Sequence, residues 1–169
     1  IPMEPIGFPK NDPGRATLLT SSNEVENLNR LEHIMKQAGG YVGLLGTQGT
    51  KFMLHSETLL PVLRSIKQRG LIYVDSRSTS RSLGPDLASS IQLPKAFNNV
   101  FVDKEPSQEK IKNKLDELER IALKRRFAVG IAQPLPITIE ILSQWTKRLK
   151  TKQIALAPIT AIVDKQSQR

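Results

Sequence analysis

Two carboxylates stand at positions where a strand would release its chain: Glu4 in "IPMEP" and Asp75 in "LIYVD". Asp75 precedes a hydroxyl-rich loop with Ser76, Arg77, Ser78, Thr79 and Ser80. A carboxylate so placed can orient a sugar hydroxyl, share a divalent metal or act as a base. The alternative is that it caps the loop through backbone amides. For Glu4, which lies between Pro2 and Pro5, the alternative is an ion pair with Arg15 or another basic residue. Neutral donors follow other apolar runs: Thr47 and Gln48 after "YVGLLG", and Gln133 after "FAVGIA". Phe8 and Phe52, read as loop residues, are candidates for stacking on a sugar ring. His33 and His55 read as solvated or capping residues, and Trp145 reads as core. Asp103, beside Lys104 and Pro106, reads as an exposed turn.

The elements that must carry these residues follow from periodicity. A cap at Ser22 or Asn23 opens a helix to about Ala38, with Val25, Leu28, Leu31 and Met35 at helical spacing. Strand-like runs are expected at 41–46, 71–75, 99–103, 127–132 and 154–159. Between them fall a helix from Ser56 to Gly70, a weaker one at 82–91, a long one through Ile111, Leu115, Leu118 and Ala122, and one carrying Ile141, Leu142, Trp145 and Leu149. Continuous apolar strands joined through helices imply a parallel sheet, hence an α/β fold. In such folds ligands gather at the carboxyl ends of the strands. The residues just named sit there, and Glu4, Gln48, Asp75 and Gln133 are expected to share one cleft.

Composition sets the bounds. At 169 residues and 38% apolar, the chain is the length of about one domain and can build a core. It contains no Cys, which removes disulfides, thiolate metal ligands and a Cys nucleophile. No run approaches the ~20 apolar residues that span a bilayer, and no targeting signal is present in the covered chain. The net charge of +9 lies mostly after residue 100, where basic residues alternate with Asp116, Glu117 and Glu119. That pattern describes a solvated helix face more than a nucleic-acid surface, because no aromatic residues interleave with the charge.

The segments "IPMEPIGFPKNDPG", "LNRLEHIMKQAGGYVGLLGTQGTKF", "RGLIYVDSRSTSRS" and "GIAQPLPITIEILSQW" together resemble the divergent polysaccharide deacetylase family over almost the whole chain. The resemblance implies a distorted (β/α) barrel, with residues 1–169 forming the C-terminal two-thirds of a single domain. The missing N-terminal strand-helix units would include the paired Asp motif that gives deacetylases a metal ligand and a base. It also implies a periplasmic or envelope address and an N-acetylated polysaccharide as partner. Two departures stand out. "IPMEP" has no His where deacetylases place metal ligands, and Gln133 stands where some relatives carry His.

Three functions are compatible with these readings. The first is a carbohydrate deacetylase, intact or degenerate. Asp75 and Glu4 would be its catalytic residues and the ligands of a divalent metal of unassigned identity. Thr47, Gln48, Ser76, Arg77, Gln133, Phe8 and Phe52 would bind substrate. The second is a barrel that binds glycan or a protein without hydrolysis, and the third is a basic polyanion-binding module. An open sheet edge beside "IPMEP" is expected to invite self-association.

Overall fold

The computed structural model describes residues 1–166, which divide into two compact units, residues 1–97 and residues 98 onward. In the first unit, helix α1 spans Glu24–Met35, with the Asn23 side chain accepting from Glu26 N at its start. Strand β1 (Gly43–Gly46), helix α2 (Ser56–Gln68), strand β2 (Ile72–Asp75), helix α3 (Gly84–Ser90) and strand β3 (Lys95–Phe97) follow. The three strands form one parallel sheet in the order β1-β2-β3, with Gly46 opposite Asp75 and Asp75 opposite Phe97. Gly70, at φ +67°, takes the left-handed turn that ends α2 and returns the chain to β2.

The first residues of the chain extend this ladder. Pro2 bridges Thr47 and Met3 bridges Leu18, both in parallel. Hydrogen bonds run on both sides of the segment, from Met3 N to Thr47 O (3.1 Å) and from Glu4 N to Leu18 O (2.9 Å). The backbone beside "IPMEP" is therefore paired on both flanks, where an open edge was expected. Met3, Leu18, Leu31, Phe52, Met53, Leu59, Val62, Leu63, Ile66 and Tyr73 are fully buried in the core beneath. Val25 does not join them despite its spacing: it is 66% exposed. Leu31 and Met35 supply the buried stripe of α1, with Leu28 partly buried against it.

The second unit contains strand β4 (Val100–Phe101), helix α4 (Gln108–Arg125), strand β5 (Gly130–Ile131) and helix α5 (Pro136–Leu149). β4 and β5 pair in parallel as a two-stranded sheet. Its core joins Val102, Ile111, Leu115, Ile141, Trp145 and Leu149. Trp145 lies in the core as expected, and its Nε1 donates to buried Glu119 (2.7 Å), which also meets Lys152.

The architecture is α/β with parallel sheets, and it is not a closed barrel among the described residues. Two strand expectations need correction. "KAF" forms β3, although three residues after Pro94 carry too little periodicity to announce a strand; Tyr73 N donates to Pro94 O (2.9 Å) as the ladder begins. Conversely, "IALAPI" (154–159) is not a strand. Ile154 packs on the second core and its N–H closes α5 onto Leu149 O (3.1 Å), but Leu156 is 73% exposed. Pro158 has no N–H to offer a ladder.

Candidate functional site

All strands of the first unit run the same way, so the chain leaves them at one end. There the register sets Glu4, Thr47–Gln48 and Asp75–Arg77 on neighbouring strands, about 5 Å apart from strand to strand.

Glu4 is 3% exposed and works as a junction. Its Oε1 accepts from Lys51 Nζ at 2.7 Å, and its Oε2 accepts from Thr20 N at 2.6 Å and Thr20 Oγ1 at 2.7 Å. Its carbonyl accepts from Lys51 N and Phe52 N, both at 3.1 Å. Burial pulls its carboxyl upward, but the hydrogen bonds from Lys51 and Thr20 and the Lys51 charge outweigh that and hold it below the ordinary 4.5. The basic partner is Lys51, not Arg15. Sequence separation hides this pairing; only the ladder brings residue 51 to residue 4.

Asp75 is fully buried. Oδ1 accepts from Arg77 N at 2.6 Å, while Oδ2 accepts from Ser82 Oγ at 2.7 Å and Tyr73 Oη at 3.0 Å. The carboxylate therefore closes a loop over residues 75–82 and holds it against β2. Burial, followed by the charge of Asp75 and their hydrogen bond, pushes the Tyr73 phenol well above 10. The loop then runs to Gly84, where an added Cβ would collide with Asp75 Oδ2 and Tyr73 Oη.

The remaining candidates separate by exposure. Gln48 is exposed, with φ +62°, and Thr47 is half-buried, its Oγ1 donating to Ile1 O (3.2 Å). Ser76 is buried and shares a hydrogen bond with Ser78 Oγ at 2.8 Å. Arg77 is half-buried at φ +49°, and its guanidinium carbon lies 3.9 Å from the centre of the Phe97 ring. Phe8 is half-buried. Phe52 is fully buried in the first core, so its ring has no face left for a sugar. Lys51, Thr20, Tyr73, Ser82 and Phe97 are direct neighbours of these candidates that sequence reasoning did not name. Only Phe97 left a trace, as the apolar end of a run too short to read.

Gln133 lies in the second unit, exposed, and its N–H donates to Asp103 Oδ2 at 2.7 Å. Asp103 also accepts from Thr138 Oγ1 at 2.9 Å and is 4% exposed, so it is a buried loop anchor and not an exposed turn. His33 is exposed on α1, and His55 stands just before α2 with its Nδ1 3.0 Å from Lys51 O.

Residues 1–163 match the family described as divergent polysaccharide deacetylase. The chain belongs to that family. A solved relative is an uncharacterized protein from Agrobacterium tumefaciens C58, with which it shares 34% identity and a TM-score of 0.94. The match covers 96% of this chain and 66% of the relative, so this chain spans just under two thirds of that protein's length. No curated protein matches.

For a member of the deacetylase family the donor set decides whether a metal fits. Among the described residues no group of three or more His, Asp or Glu comes together. Each oxygen of Glu4 and Asp75 already accepts from a protein donor. A carboxylate oxygen has two lone-pair sites, so Glu4 Oε1 and Asp75 Oδ1, with one donor each, keep one, but the Lys51 ammonium already stands 2.7 Å from the first and the second belongs to a fully buried side chain. Glu4 and Asp75, the first already paired with a lysine, do not by themselves make up a divalent metal site among the described residues. What the deacetylase-family surface offers at the strand ends is a set of neutral and cationic donors: Gln48, Thr47, Ser78, Lys51 and Arg77. Among the described residues no helix is long and apolar enough to cross a membrane.

Proposed function

We propose that this chain binds an N-acetylated envelope glycan across the carboxyl end of the β1-β2-β3 sheet, as the binding portion of a deacetylase-like domain. Arg77 carries the reading. Its backbone N–H is tied to Asp75, its guanidinium is stacked on Phe97, and no carboxylate pairs with it among the described residues. A guanidinium fixed in this way keeps donors for sugar hydroxyls or an acetamide carbonyl. Gln48 and Thr47 present amide and hydroxyl groups on the adjacent strand end, and Phe8 supplies an aromatic edge. Glu4 and Asp75 act as positioning residues, holding the two loops that display these donors, in place of the catalytic and metal-binding roles their types suggested. Family membership supports a polysaccharide ligand, and the envelope is where such a ligand occurs.

Calorimetric titration of the 169-residue chain with chitotetraose tests this. Binding in the micromolar-to-millimolar range is expected, weakened about tenfold in Arg77→Ala and little changed in Lys112→Ala on the exposed face of α4. The absence of binding, or equal losses in both variants, would refute the site. Release of acetate from the oligosaccharide by this chain alone would restore Asp75 or Glu4 to a catalytic role.

A further inference from the structure

A second site lies in the first unit beside α1. Arg15 and Ala16, from the loop leading into Leu18, and Asn29, Arg30 and His33 of α1 line a cleft of about 330 Å³. The helical spacing places 29, 30 and 33 side by side on α1. Every polar side chain in this lining is a donor or can become one, and no acid lines it.

Arg30 is the informative residue. It is half-buried, and its Nη1 donates to Thr17 O at 3.1 Å and Ser22 Oγ at 2.9 Å, both neutral acceptors. Among the described residues no carboxylate meets Arg30 or Arg15; Glu4, the nearest acid in sequence to Arg15 that is buried, is committed to Lys51 and Thr20. A guanidinium carries five N–H donors, and Nε and Nη2 of Arg30 meet no acceptor among the described residues. Partial burial of a cation without a counter-charge is unfavourable and is relieved by a bound anion. The planar fork matches two oxygens of one anion, and the space exceeds that of a free ion.

We propose that this cleft binds a phosphate-type oxyanion, free or carried as a phosphate monoester on a small molecule. Arg30 is its fixed anchor, and Arg15, Asn29 and His33 close around it. The site is independent of the glycan reading, because it uses none of the residues at the strand ends.

The experiment is an amide NMR titration of the 15N-labelled chain at constant ionic strength, with inorganic phosphate in one arm and glucose 6-phosphate in the other. Saturable shifts are expected at residues 15–17 and 29–33. Arg30→Gln should weaken binding about tenfold. Arg15→Gln, a change at an exposed side chain, should weaken it severalfold. Arg64→Gln, which removes the same charge from α2, should leave it within twofold. Tighter binding of glucose 6-phosphate would assign an organic ester, and binding of phosphate alone would assign the free ion. Unsaturable shifts in both arms, or equal losses in Arg15→Gln and Arg64→Gln, would overturn the site and leave only the general field of a basic protein.

Discussion

At the scale of single residues, the two carboxylates of the strand ends tie separate segments of the chain together. Asp75 takes three protein donors and Glu4 takes three; those of Glu4 come from the loops at Thr20 and Lys51, and those of Asp75 from the loop at Arg77 and Ser82 and from Tyr73 of β2 itself. This leads to a pH prediction for Glu4. Its native carboxyl titrates below 4.5, so between its native and ordinary values the unfolded chain binds a proton that the native chain refuses. The stabilisation from Glu4 is present above about 4.5 and disappears as pH falls through the lower native value. Urea midpoints of the parent should therefore fall from pH 6 to pH 3.5 more steeply than those of Glu4→Gln. Parallel slopes would show that the Lys51 and Thr20 contacts do not bias the titration. Type and spacing made Glu4 and Asp75 visible in the sequence; the partners that decide their roles lie up to 47 residues away and left no local pattern.

At the scale of elements, close approach governs how α3 meets β2. Gly84 opens α3 directly against the Tyr73–Asp75 pair, with an added Cβ inside contact distance of both side-chain oxygens. Both neighbours are buried and hydrogen-bonded to each other, so neither yields cheaply. Gly84→Ala should cost about 1–3 kcal/mol in urea unfolding, the range for overpacking a filled interior. It should also loosen the 75–82 loop, seen as faster amide exchange at Arg77. A neutral effect would mean that α3 slides without resistance. The same scale explains why β3 escaped notice and "IALAPI" misled. Strand identity depends on a neighbouring backbone, which Lys95–Phe97 finds in β2, whereas 154–159 finds none among the described residues.

At the scale of the molecule, the charge of +9 has no single address. Part of it lies along α4, where Lys110, Lys112, Lys114, Lys124 and Arg125 are exposed and Lys114 pairs with Glu117 at 2.8 Å. Charge reversal of Lys124, Arg125 and Arg126 should lower retention on a cation exchanger while leaving chitotetraose affinity within about twofold, since the field of a basic protein attracts polyanions and finds no net charge on a neutral oligosaccharide. A large loss of glycan affinity would move the site away from the strand ends of the first unit. Each unit has its own core, with Tyr73 and Phe52 central to one and Trp145 to the other. Composition could not announce that division, because no Pro- or Gly-rich linker marks Phe97–Asn98.

The sequence by itself determined the α/β class, most of the alternation of strand and helix, the family, and the strand-end positions of Glu4, Thr47, Gln48 and Asp75, because periodicity and strand-end position are local properties. Helical spacing located the buried Leu31, Met35, Leu59, Leu63 and Ile66 before any contact was known. The tertiary structure alone decided which of the strand-end residues remain available. Lys51 meets Glu4, Ser82 and Tyr73 meet Asp75, and Phe97 supports Arg77 only because parallel pairing brings distant segments into register. A carboxylate in sequence is a potential base, ligand or anchor. Which donors burial brings to its oxygens is a tertiary matter, and here they are Lys51 and Thr20 for Glu4 and Arg77, Ser82 and Tyr73 for Asp75.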